Sequence, residues 1–229
     1  DRTGYFSREE KYFIFNDFIA YCHRYRDVTG KEMDSELFDI QKHMLAENAF
    51  SPAENEYMSA LLYRNIMNHS LDLDEIQWLE NFIAEYSQYL NPEYMDNMKN
   101  LALANAEFSK GEFEKSLLYI NRVQYDMFLF KSDVKNLSLK IFYELGLYEQ
   151  AYSMIDAYRH YLTATGELSE YFKTQLGNFV NIYSKLLKAR SSGNAGEAVS
   201  ALVMLEKSSQ VSSGGWLKRK LGELNEKGV

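Results

Sequence analysis

The chain has 229 residues, 46% of them hydrophobic and 15% aromatic, with 25 Lys and Arg against 33 Asp and Glu and a net charge of −8. It is too apolar and aromatic for a disordered or low-complexity chain, and its mixed acidic surface argues against nucleic acid as a partner. Cys22 is the only cysteine, so no intramolecular disulfide can form and a cysteine-based metal site is disfavoured. A reducing compartment suits a lone thiol, and the cytoplasm is the favoured location. No run approaches the ~20 apolar residues of a membrane-spanning helix, so membrane insertion is not expected. The sequence begins at Asp1 with no signal-peptide pattern after it, which leaves room for a leader or a further domain ahead of it.

Apolar residues recur at three- and four-residue steps along nearly the whole chain, as in Tyr12, Phe15, Phe18, Ile19, Cys22 and Tyr25, and strand-like alternation is missing. The class is all-α. Ser7 with Glu10 has the spacing of a capping box and predicts the first helix, over 7–27; a second is predicted over 34–48. Ser51-Pro52-Ala53-Glu54 reads as a cap, an N1 proline and a returning glutamate, and predicts a helix over 52–69. Asp72 with Glu75 predicts the next, over 73–90, and Asn91-Pro92 the one over 92–109. The pattern continues with helices over 112–124, 131–145, 148–163, 169–191, 195–208 and 214–226. Short connections make successive helices antiparallel neighbours. The flexible points are expected at 27–31, 191–194 and 208–215.

A repeat lies under these helices. Residues 101–124 align beneath 136–159, and Gly111 and Gly146, 35 residues apart, fall in register. Each glycine should end a helix in the left-handed region, where it carries no Cβ penalty. Phe113 and Tyr148 should then fill the crevice between paired helices, and Ser116 and Ala151 should let the two backbones approach. Ile120 with Val123, and Ile155 with Tyr158, continue the buried stripe. The spacing is close to the roughly 34-residue period of the tetratricopeptide repeat, and the order helix, Gly-x-aromatic-x-x-small, helix is also that of the motif. On these residues the chain resembles the tetratricopeptide repeat family. Tyr143-Glu144-Leu145-Gly146, Asn178-Phe179 and Trp216-Leu217 are similar to segments of uncharacterised bacterial repeat proteins of this type.

The resemblance implies a single domain over 1–229, a right-handed α-solenoid of antiparallel helix pairs with about 11 helices. Its clear repeats are 92–126 and 131–163, its degenerate ones 52–90 and 169–208, and capping helices stand at both ends. In the family the first helix of each pair lines a concave surface. Carried over, that face comprises Met98, Leu101, Asn105, Phe108 and Ser109, then Asp133, Asn136, Lys140, Tyr143 and Glu144. Asn105, Asn136 and Lys140 are the candidate polar contacts to a peptide, and Phe108 and Tyr143 the candidate apolar anchors. The clamp that some members use for a C-terminal carboxylate is not expected, because Leu101 and Leu137 stand where polar groups are needed.

Chemistry is hard to find. No two of His23, His43, His69 and His160 have the i, i+4 spacing of a helical metal site, and neither metal nor cofactor is expected. Cys22 and His23 point about 100° apart on a helix, which suits a core cysteine better than a nucleophile and base. Phosphate-loop, dinucleotide and nucleophile-elbow motifs are missing. Glu54 and Glu56, and Asp74 and Glu75, read as helix first-turn acids, with Asp72 as a cap, and Lys218-Arg219-Lys220 as the solvated face of a terminal helix. The expected function is therefore a non-catalytic protein-interaction module that takes a peptide or partner helix in its concave groove. The alternatives are self-assembly through the terminal helices 7–27 or 214–226 and, less favoured, a helical enzyme.

Overall fold

The computed structural model describes residues 5–124, 128–166, 168–208 and 210–226. Asp1, the end of the expected repeat at 125–126 and position 209 of the 208–215 stretch lie outside the described residues. Eleven α-helices are found there, and the β structure among the described residues is one isolated bridge between Met58 and Leu90. The chain divides into two compact units, Asp1–Gln124 and Tyr125–Val229.

The first unit holds α1 (Arg8–Thr29), α2 (Asp34–Ala46), α3 (Ala60–Asp72), α4 (Ile76–Tyr86), a 3-10 turn (Ser87–Tyr89), α5 (Pro92–Ser109) and α6 (Phe113–Ile120). Both halves of the Ser7 and Glu10 capping box form: Ser7 Oγ accepts from Glu10 N, and Glu10 accepts from Ser7 N at 2.7 Å. Asn91 caps α5 with Pro92 just inside it. Each helix packs on the next, and α5 lies against both α3 and α4. Leu37, Tyr63, Ile66, Leu79, Phe82 and Met98 fill the core. An aromatic ladder at i, i+4 runs down α4, where Trp78 stacks on Phe82 at 5.5 Å and Phe82 on Tyr86 at 5.5 Å. Tyr63 meets its middle rung at 4.7 Å and donates to Ser87 Oγ at 2.8 Å, whose own proton goes to Ile83 O.

Two helices start later than the sequence pattern predicts, α3 at Ala60 and α4 at Ile76. Residues 52–59 are not helical: Ser51 is buried, its Oγ donates to Ala53 O, and both its oxygens accept from Arg8, at 2.7 and 3.1 Å. Met58 N then donates to Tyr89 O, so this stretch is an ordered crossing that leaves Ser59 to cap α3. Asp72 is likewise not a cap but the last residue of α3; Asp74 takes the left-handed conformation, φ +58°, and α4 follows. Glu54, Glu56 and Asp74 therefore sit outside helix first turns, as does Glu75, which precedes α4 and makes no side-chain cap bond. At the other end of α1, residues 27–29 are helical and the link to α2 is 30–33, entered through Gly30 at φ +68°.

The turns themselves repeat. Gly111 N donates to Phe108 O and Glu112 N to Glu107 O; Gly146 N donates to Tyr143 O and Leu147 N to Phe142 O. The same pair of bonds closes α3, from Asp74 and Glu75 to Leu71 and Ser70, and α2, from Asn48 and Ala49 to Leu45 and Met44. This 6→1 and 5→2-type closure needs φ > 0 at its first donor, which glycine adopts freely and Asn or Asp tolerate. Ser116, expected only to be small, also donates its hydroxyl to Ala104 O at 2.6 Å and so fastens α6 to α5.

The second unit holds α7 (Phe128–Leu145), α8 (Tyr148–Ala164), α9 (Glu170–Ser192), α10 (Ala195–Lys207) and α11 (Gly214–Glu226). Ser169 and Asn194 cap α9 and α10. α9 is the central rod: it contacts α8, α10 and α11, and buries Phe179, Val180, Ile182, Tyr183, Leu186 and Leu187. Tyr183 OH donates to Leu139 O at 2.6 Å, which joins α9 to α7.

Candidate functional site

The expected binding face of α7 is covered. Tyr143 is 2% exposed, held edge-on to Trp216 at 5.3 Å and under the Arg190 guanidinium at 4.2 Å. Asn136 is 8% exposed; its amide donates to Ser212 Oγ at 2.9 Å and its carbonyl accepts from Tyr158 OH at 2.9 Å. Glu144 accepts from Trp216 Nε1 and pairs with Lys220. The physical reason is that α11 and the segment before it fold over this side of α7, so Asn136 and Tyr143 make their contacts inside the unit. Lys220 is corrected with them: its side chain is 12% exposed and pairs with Glu144 and Glu223, whereas Lys218 and Arg219 are solvated as expected. Lys140 stays half-exposed.

In the first unit, Asn105 and Phe108 are both half-buried. The Asn105 amide donates back to Leu101 O at 2.9 Å and touches Met67 Sδ at 3.9 Å; Phe108 packs on Phe113 at 5.3 Å. Asn105 thus faces α3, and Phe108 supports the α5 and α6 pair.

An open groove lies instead on the neighbouring stripe of α7, about 100° round the helix, against α8. Its volume is about 480 Å³. Lys135 and Phe142 line it from α7; Glu149, Gln150, Ser153, Met154 and Ala157 line it from α8. The spacing explains the convergence: 135 and 142 are two turns apart on one helix, and the five α8 residues fall on one stripe. Lys135 does not stand out in the sequence, because nothing local marks one lysine of an amphipathic helix as half-buried.

Lys135 is the unusual group. Its ammonium lies 5.8 Å from the Tyr158 ring and 5.9 Å from the Tyr161 ring, and burial pushes its pKa below the usual lysine value. Among the described residues no carboxylate pairs with it. Two aromatic faces offset part of the desolvation of a cation, typically by about 0.5–1 kcal/mol at such partly exposed sites. An ammonium so placed is a ready partner for an incoming carboxylate. Phe142, Met154 and Ala157 supply apolar floor beside it, and Gln150 and Ser153 supply hydrogen-bonding groups.

Among the described residues no group of three or more His, Cys, Asp or Glu is placed to hold a metal ion, and no helix is long and apolar enough to cross a membrane. Comparison with known protein families, with curated proteins and with solved structures found no match. The class of protein defined by fold is thus an all-helical one.

Proposed function

We propose that this chain is a non-catalytic interaction module, an α-solenoid of tetratricopeptide-like helix pairs, that takes an acidic peptide or partner helix along α7 and α8. The observation that carries the reading is Lys135: a half-buried cation over two tyrosines, beside an apolar floor, in a groove of about 480 Å³. That volume falls in the range of sites that enclose a few side chains. The repeated turn closure at Asp74, Gly111 and Gly146 supports the solenoid reading, because it sets up successive hairpins in the same way. A partner would lay a carboxylate on Lys135 and an adjacent Leu or Phe on Phe142 and Met154, with little reordering of a groove already formed.

Panning a phage-displayed library of random dodecapeptides tests it. Enrichment of Asp or Glu next to a large apolar residue is expected, and Lys135→Glu and Met154→Glu should each lose that enrichment while keeping helical circular dichroism. Binders that survive both variants reject the groove, and a library that yields none rejects peptide recognition.

A further inference from the structure

α1 is 22 residues long, yet Cys22 is its one fully buried residue. Its inner side is anchored by Lys11 to Glu47 and by Arg8 to Ser51. Its outer side carries Phe13, 55% exposed, and Tyr21, 56% exposed, with Phe18 on the flank and Val28 near the end. Solvated aromatic rings in a row along one helix mark a surface that is covered in its working state.

The order of groups along this side is self-complementary. Glu10, Phe13, Asp17, Tyr21 and Arg24 follow one another at steps of three and four, which places them on one stripe. About Asp17 the stripe is symmetric: an aromatic ring stands four residues to each side, and a charge seven residues to each side, negative at Glu10 and positive at Arg24. Ile14 and Ala20 are symmetric in the same way, as are Phe6, just ahead of the helix, and Val28. Glu10, Asp17 and Arg24 are all exposed, and the Glu10 bond to Ser7 N uses one carboxylate oxygen.

We propose that a second copy of this chain covers the face, the two α1 helices pairing antiparallel about a dyad at Asp17. An isologous contact brings residue i against residue j and j against i. Antiparallel pairing in this register puts Phe13 on Tyr21 of the other copy and Glu10 on Arg24, twice each. Charge complementarity selects this arrangement over parallel pairing, which would set Glu10 against Glu10 and Arg24 against Arg24. The cost of the register is the pair of Asp17 carboxylates that face each other on the dyad. This interface belongs to the first unit and does not rest on the Lys135 groove.

Sedimentation equilibrium on the full chain over a wide concentration range is the primary measurement, with wild type expected to show a monomer–dimer equilibrium. Asp17→Asn should tighten it several-fold by removing the facing carboxylates. Arg24→Glu should weaken it about tenfold. Asp17→Cys should form a disulfide-linked dimer under mild oxidation, whereas Glu10→Cys, far from its own copy in this register, should not. Cys22 is buried and gives little background. All these positions face solvent, so the variants should fold. A wild-type monomer throughout the range overturns the proposal, as does a dimer unmoved by Arg24→Glu or a Glu10→Cys cross-link as efficient as that of Asp17→Cys.

Discussion

The indole nitrogen of Trp216 donates to Glu144 at 3.2 Å, a contact between residues 72 positions apart that brings α11 onto α7. Around it Trp216 stacks on Tyr183 at 6.1 Å, meets Tyr143 edge-on, and leaves Glu144 in contact with Lys220 at 3.0 Å. One aromatic and ionic cluster therefore holds the first, third and fifth helices of the second unit.

Trp216→Ala should destabilise this unit by about 3–5 kcal/mol, since it removes a large side chain that is 6% exposed and leaves Glu144 without its indole donor. Trp216→Phe should cost less, because the ring contacts largely remain. Urea denaturation followed by circular dichroism measures both.

The glycine turns predict a contrast. Gly111 and Gly146 have φ of +79° and +69°, and a Cβ at either would meet nothing within 4 Å. Alanine there should cost about 1–2 kcal/mol from backbone conformation alone. Asp74→Gly, at the equivalent left-handed position, should be neutral or stabilising, and Asp74→Ala destabilising. Melting temperatures of the four variants check this.

Acid should loosen the packing of α3. His69 is held below its ordinary pKa mainly by burial, with Asp34 opposing and His23 and Arg26 reinforcing, and its Nδ1 donates to Gln41 Oε1 at 2.9 Å. The unfolded chain takes up this proton near pH 6.5 and the folded chain only at lower pH. Stability from this residue is thus complete above about pH 6.5 and falls as pH drops below it, because the unfolded state then binds more protons. Denaturation at pH 7.5 and 5.5 should show that loss, and His69→Gln should reduce the difference.

Ser87→Ala should cost about 1–3 kcal/mol, out of proportion to one small side chain, because it strands the buried Tyr63 hydroxyl. Tyr63→Phe combined with Ser87→Ala should recover part of the loss. A double-mutant cycle in urea gives the coupling.

Replacing Lys135 by Met keeps the apolar stem over Tyr158 and removes a desolvated charge. Stability should be unchanged or higher, while binding of acidic peptides is lost. Thermal melts and fluorescence anisotropy with a labelled peptide from the phage selection separate the two effects.

The all-helical class and several boundaries were legible because they depend on neighbours in the chain. Ser7 with Glu10, Asn91-Pro92, and the glycines at 111 and 146 act through local bonds and φ, and they end or begin helices where the pattern places them. Local signals misled where another group, distant or adjacent, competed. Ser51-Pro52 has the form of a helix start, but Arg8 takes the Ser51 oxygens; Asp72-x-x-Glu75 has the spacing of a capping box, but Asp74 turns left-handed between them.

What the sequence determined by itself was therefore secondary structure and the recurrence of the hairpin turn, because these follow from interactions within a few residues. Which helix faces stay open was decided by tertiary structure. The periodicity of α7 gives both of its stripes partners to choose from, and the choice between them depends on α11, whose Trp216 and Lys220 are far along the chain. Their packing buries Asn136 and Tyr143 and leaves Lys135 and Phe142 facing the groove.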